Sequence, residues 1–171
     1  DFYKDHPNNQ MVLSGYVMYM IGYCNYRLGP GNFFLFPPDH EKDLSYVQNA
    51  YLIFKVFFQR YPQSAYMKKA LKYYKYSLGK LSRHEMYVAK FYLKKKKPKG
   101  AKLRLEYLVR SYPDAPNAPS AALLLGNLYA KDGEYTKAST ILKTVLKKYA
   151  GKKEAREALS ALAKLKGPKE K

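Results

Sequence analysis

The sequence predicts an all-helical fold: antiparallel helix pairs stacked side by side as a right-handed solenoid, closed by a C-terminal capping helix. Three observations predict it. Apolar residues recur three and four positions apart, as in Val47, Tyr51, Phe54, Phe58 and Tyr61, which gives a helix one buried stripe. Proline or glycine punctuates the amphipathic runs, at His6-Pro7, Tyr61-Pro62, Tyr112-Pro113 and Ala150-Gly151. The same small and large residues then return at a fixed spacing, and no run shows the alternation of a strand.

The elements follow in order within one expected domain, residues 1–171. Residues 1–10 close an earlier repeat. Residues 11–62 form a repeat whose two helices are parted by a long insert over 29–43, rich in Gly, Pro and Phe. The charge-free stretch from Pro7 to Tyr26 is diluted by Asn8, Asn9, Gln10, Ser14, Gly15, Gly22 and Asn25. It therefore reads as one buried helix rather than a membrane span, with Cys24 a buried, inert thiol. Residues 64–113 form a repeat with an extended first helix, running from Ser64 through a bend near Gly79 to about Lys95. Residues 116–150 are a further repeat. Residues 152–166 are the capping helix, burying Ala155, Ala158, Leu159 and Leu162, and the tail from Gly167 is expected to fray.

The unit over 119–152 carries Leu125-Gly126, Tyr129, Gly133, Tyr135, Ala138, Leu142 and Val145. This resembles the tetratricopeptide repeat (TPR). Gly126 and Ala138 let two helices approach, and the large residues fill the groove beside them. Val88-Ala89, Tyr92, Ala101, Leu105 and Leu108 repeat the pattern ahead of Pro113, but Lys94-Lys95-Lys96-Lys97-Pro98-Lys99-Gly100 replaces the glycine turn. Ala50, Phe54 and Phe57 repeat it ahead of Pro62, with Ile21-Gly22 on the first helix.

Composition narrows the function. The chain holds 32 Lys plus Arg against 13 Asp plus Glu, a formal charge of +19, which attracts nucleic acid, anionic lipid or acidic protein faces. Its 19 Tyr and 8 Phe suit packed helices with one wet end. A lone Cys forms no internal disulfide. Of His6, His40 and His84, none stands at metal spacing with a second ligand; His84-Glu85 opens like a zinc-protease helix, but position 88 is Val. There is no phosphate loop and no nucleophile elbow. A non-catalytic protein without metal or cofactor is expected. A nucleic-acid-binding helical repeat is disfavoured, because no reading motif is present and the tyrosines fall at core spacing, so no nucleic acid is expected as partner. A general TPR adaptor for peptides stays open.

Three runs are more specific: Phe58-Gln59-Arg60-Tyr61-Pro62-Gln63-Ser64-Ala65-Tyr66, Leu81-Ser82-Arg83-His84-Glu85-Met86-Tyr87-Val88-Ala89-Lys90-Phe91-Tyr92 and Arg104-Leu105-Glu106-Tyr107-Leu108-Val109-Arg110-Ser111-Tyr112-Pro113-Asp114. With Tyr16-Val17-Met18-Tyr19-Met20 and Phe33-Phe34, they resemble the BamD (YfiO/ComL) family of outer-membrane assembly lipoproteins across most of residues 1–150. The resemblance implies a scaffold of the β-barrel assembly machinery, at the periplasmic side of the outer membrane. It would bind the POTRA domains of BamA and accessory lipoproteins and aid β-barrel insertion. The chain would match the third to fifth repeats and the end of the second, with the earlier repeats and the lipid anchor upstream. The resemblance also puts Arg104 against the last POTRA domain, where a guanidinium can pair with a carboxylate in two-pronged fashion, with Lys102, Tyr107 and Arg110 beside it. Phe33, Phe34 and Phe36 either fold back onto the helices, the favoured reading, or contact a partner or membrane. Lys94, Lys95, Lys96 and Lys97 are candidates for the same partner or for an anionic membrane surface.

Overall fold

A computed structural model describes residues 2–30 and 43–165 of the chain. Every element among them is helical: α1 (Phe2–Asp5), α2 (Gln10–Leu13), α3 (Tyr16–Leu28), α4 (Ser45–Arg60), α5 (Met67–Lys94), α6 (Pro98–Ser111), α7 (Ala118–Lys131), α8 (Tyr135–Lys148) and α9 (Lys153–Lys164). The expectations for Phe33, Phe34 and Phe36 and for the tail from Gly167 lie outside the described residues. The chain divides into two compact units, Asp1–His84 and Glu85–Lys171, so that α5 contributes residues to both. Helical bonding runs through Gly79 without a break.

In the first unit, the expected single helix over Pro7–Tyr26 is two. Gly15 at φ +80 separates α2 from α3, and Ser64 Oγ donates to the Ser14 carbonyl there at 2.7 Å. Asn9 caps α2 by accepting from the Met11 N–H at 2.9 Å. α3 packs on α4 over a core of Tyr19, Ala50, Phe54, Phe57 and Ala70. Each phenylalanine there is fully buried, a transfer worth about 1.5–3 kcal/mol. Cys24 is exposed, correcting the buried placement. Its face of α3 carries Ile21 and Leu28, which are exposed as well, while the buried residues of the helix are Tyr19 and Gly22. No described helix is long and apolar enough to cross a membrane.

In the second unit α7 packs on both α6 and α8, and α9 packs on α7 and α8. One contact explains the repeat. A Cβ on Gly126 would stand 2.8 Å from Leu142, and a Cβ on Gly22 would stand 2.7 Å from Phe54. Both pairs place the small residue of a first helix on the same large residue of its second helix. The facing alanines Ala50, Ala101 and Ala138 are all fully buried. The second helices also end alike, with Tyr61, Tyr112 and Tyr149 as C-caps whose N–H groups donate to Phe57, Leu108 and Val145.

The lysine-rich turn departs from the repeat in sequence but not in backbone. After α7, Gly133 takes φ +78, its N–H donates to Ala130 and the Glu134 N–H reaches back to Tyr129. After α5, Lys96 takes φ +54, its N–H donates to Leu93 and the Lys97 N–H reaches back to Tyr92. This is the same helix-ending turn, with lysine in the left-handed position that glycine adopts without steric penalty.

The capping helix departs from expectation. Ala155 and Ala158 are buried and Leu162 is half-buried, but Leu159 is 61% exposed. α9 occupies the place of a first helix, and Leu159 matches the fully buried Leu125 of α7. Among the described residues no helix follows α9 to cover Leu159.

Replacing Gly126 by Val is expected to destabilise the fold by about 1–3 kcal/mol through overpacking against Leu142. Urea unfolding of Gly126→Val, Leu142→Ala and the double variant checks it. A double-variant loss as large as the sum of the two single losses would sink the close-approach account.

Candidate functional site

α6 begins at Pro98, whose ring suits a first helical position, and buries Ala101, Leu105 and Leu108 against α7. Its opposite side is therefore left outward. Leu103 is 66% exposed, Arg104 and Arg110 are exposed and Tyr107 is half-buried, set edge-on to Tyr112 at 5.7 Å between ring centres. At 100° per residue these four side chains fall within an arc of about 120°. Arg104 is steadied from behind. One guanidinium nitrogen lies 3.4 Å from Glu85, whose side chain is 9% exposed, while 45% of the Arg104 side chain faces solvent. A buried carboxylate thus contacts a cation that stays about half-exposed.

Lys102 does not join this face. Two residues apart on a helix, it projects about 160° away from Arg104. There it holds Asp132 at 2.7 Å and Glu134 at 2.5 Å, and its ammonium lies 5.0 Å from the centre of the Tyr129 ring. Lys137 closes the cluster, bonding Glu134 at 2.6 Å. The Tyr129 hydroxyl donates to Glu106. Lys102 therefore ties α6 to the turn after α7, an internal role that spacing alone could not separate from partner binding.

The charges are shifted accordingly. Hydrogen bonds to Asp132 and then Glu134 hold the Lys102 ammonium well above its ordinary value. Lys102 and then Lys137 hold Glu134 below the ordinary carboxylate value. Burial, then the bond to Glu106, pushes the Tyr129 phenol up to about 12. On the next pair of helices, the hydrogen bond from Ser120 at 2.6 Å lowers Glu154.

Lys94, Lys95, Lys96 and Lys97 are all exposed at the α5–α6 turn. Sequence reasoning missed Glu85, the residue that contacts Arg104 from behind; its signal was that it is the lone acidic residue of the basic helix α5. Among the described residues no group of three His, Cys, Asp or Glu side chains is placed to hold a metal ion.

Stacked helix pairs, a glycine-on-leucine contact and a repeated tyrosine cap define a helical repeat protein of the tetratricopeptide type, and residues 92–165 match that repeat. Residues 1–126 match the YfiO family, described as outer membrane lipoprotein. The chain belongs to this family. It is 31% identical over 147 residues to the outer membrane protein assembly factor BamD of Buchnera aphidicola, covering 85% of the chain and 58% of that protein. It is 31% identical over 133 residues to BamD of Pasteurella multocida, covering 76% of the chain and 50% of that protein. A third relative, BamD of Xylella fastidiosa strain Temecula1, is 34% identical over 96 residues, covering 56% of the chain and 33% of its own length. The chain thus spans about half the length of the first two relatives.

The acid limb of stability follows from the cluster. A carboxylate with a depressed pKa in the folded state stabilises fully above its ordinary value and loses that contribution as pH falls through the folded value. For Glu134 and Glu154 the loss falls below the ordinary 4.5. The melting-temperature advantage of the wild type over Glu134→Gln is expected to shrink as pH falls from about 6 to about 3. An advantage constant across that range would show that Glu134 is not held ionised by Lys102.

Proposed function

We propose that this chain is a non-catalytic scaffold of an outer-membrane protein assembly factor. In this reading it sits at the periplasmic side of the outer membrane, lipid-anchored in the whole protein, within the β-barrel assembly machinery. It binds the POTRA region of BamA and aids insertion of β-barrel proteins, with accessory lipoproteins as further partners. Family membership and the kinship with outer membrane protein assembly factors support the setting.

The observation that carries the binding face is Arg104. It is half-exposed and braced by Glu85 on a helix side that also presents Leu103, Tyr107 and Arg110. A rigid cation beside exposed leucine and partly wet tyrosine is the composition of an interface centre, where arginine and aromatic residues concentrate affinity. A POTRA carboxylate would complete the pair that Glu85 makes from one side only. Glu85→Gln weakens the brace without removing the cation.

Isothermal calorimetry of the chain against the BamA periplasmic region tests this. The wild type is expected to bind, and Arg104→Glu to lose at least about 1 kcal/mol, roughly fivefold. Glu85→Gln is expected to lose less. A folded, helical wild type that releases no heat and shows no binding by a second method sinks the proposal.

A further inference from the structure

Lys90, Lys94, Lys95, Lys96, Lys97 and Lys99 are all exposed around the α5–α6 turn. The sequence places no acidic residue between Glu85 and Glu106. Among the described residues none of these six lysines has an ion-pair partner. Three other lysines of the same unit do find carboxylates, Lys102 and Lys137 at Glu134 and Lys148 at Asp114 at 3.1 Å, but the run at the turn is the densest without one. The charge at the turn is thus left for something outside the chain.

The backbone argues the same way. The turn has the hydrogen bonds of the one at Gly133, yet it places Lys96 at φ +54 where Gly133 stands at φ +78. Glycine would serve the fold better there. A lysine held in a conformation that favours glycine is a local compromise, and such compromises collect at functional positions.

The neighbouring side chains select the partner. Phe91 is 47% exposed one helical turn before Lys95, whose ammonium lies 5.7 Å from the centre of its ring. Tyr87, 38% exposed, lies one turn further back. An exposed aromatic ringed by lysines suits a bilayer interface: the ring enters the headgroup boundary, and the long lysine stems carry their charges to phosphate. Bare lysines without arginine forks suit a charged surface better than base-edge reading.

We propose that the α5–α6 turn is a contact surface for anionic phospholipid headgroups, with Lys90 and Lys94 to Lys97 facing the phosphates and Phe91 entering the headgroup boundary. The inference rests on the outer-membrane reading above, but not on BamA binding. In flotation assays at low salt, the chain is expected to bind vesicles of phosphatidylglycerol in phosphatidylcholine, not pure phosphatidylcholine, and to release as salt rises. Replacing Lys90, Lys94, Lys95 and Lys97 by Gln together is expected to weaken binding on the order of several hundredfold, at about 1 kcal/mol for each lysine. Phe91→Ser is expected to weaken it about tenfold. Lys96→Gly is the sharpest variant: its melting temperature is expected to rise while vesicle affinity falls about fivefold.

All these variants are expected to keep the affinity for the BamA region, which separates this surface from the α6 face. A folded wild type that ignores anionic vesicles overturns the inference and leaves the scaffold reading standing. Tighter binding to a random single-stranded oligonucleotide than to anionic vesicles overturns it in favour of nucleic acid. A Lys96→Gly variant with unchanged vesicle affinity removes Lys96 from the surface.

Discussion

The approach of first and second helix at a residue without a side chain is the constraint on which the rest depends. Gly126 leaves room only for Leu142, and Gly22 only for the Phe54 ring. With the helices that close, Ala50, Ala101 and Ala138 can be fully buried against their neighbours and still leave no void. The large residues between them then have one place to go. Because one face of each helix is consumed in this way, its other face is delivered to solvent in a fixed rotational position. The outward arc of Leu103, Arg104, Tyr107 and Arg110 follows from the inward burial of Ala101, Leu105 and Leu108. The candidate binding face is thus a consequence of core packing rather than an addition to it.

Polar contacts then set the pairs in register. The Tyr149 hydroxyl donates to the Pro113 carbonyl at 2.9 Å, tying the end of one second helix to the end of the one before. Ser120 and Glu154 join equivalent positions of α7 and α9. Lys102 draws two carboxylates of the α7–α8 turn onto α6 under the face of Tyr129. In the first unit aromatic rings take that role. Tyr16, Tyr66, Tyr19, Tyr23, Tyr73, Tyr26 and Tyr76 follow one another at centre distances of 4.9–6.2 Å. Such pairs add about 0.5–1.5 kcal/mol each beyond their buried area. The tyrosines of the first unit are therefore structural partners of one another.

Periodicity made the helices, their ends at Tyr61-Pro62 and Tyr112-Pro113, and the glycine contacts legible in the sequence, because each depends on residues close in the chain. Three features were not legible, for separate reasons. Cys24 and the break at Gly15 depend on which face of a charge-free segment meets the core, and a segment whose polar residues are scattered rather than set on one face carries little such signal. Leu159 looked buried because its stripe is correct; its exposure depends on a following helix, which no stripe encodes. Lys102 and Arg104 looked alike as basic neighbours, yet one meets carboxylates from 30 and 32 residues further on and the other a carboxylate from 19 residues before. Arg104 itself was named through a family resemblance, and the structure adds the brace at Glu85.

The distribution of charge decides what a formal +19 means here. If the excess were spread evenly, it would only repel and loosen the fold. Instead the few acidic residues of the second unit are spent where packing needs them: Glu85 behind Arg104, Glu134 and Asp132 on Lys102, Asp114 on Lys148. Among the described residues the densest run of lysines without an ion pair lies at one turn, over Lys90 to Lys99. Two kinds of basic surface result. On α6 a single oriented guanidinium sits among apolar and aromatic neighbours, a geometry that discriminates. At the α5–α6 turn, exposed lysines flank the exposed Phe91 ring, a geometry suited to a dense array of phosphates rather than to reading one in detail. The proposed partner face and the proposed lipid surface use one of each, and a repeat fold that exposes each turn and one side of each helix can carry both without either entering the core.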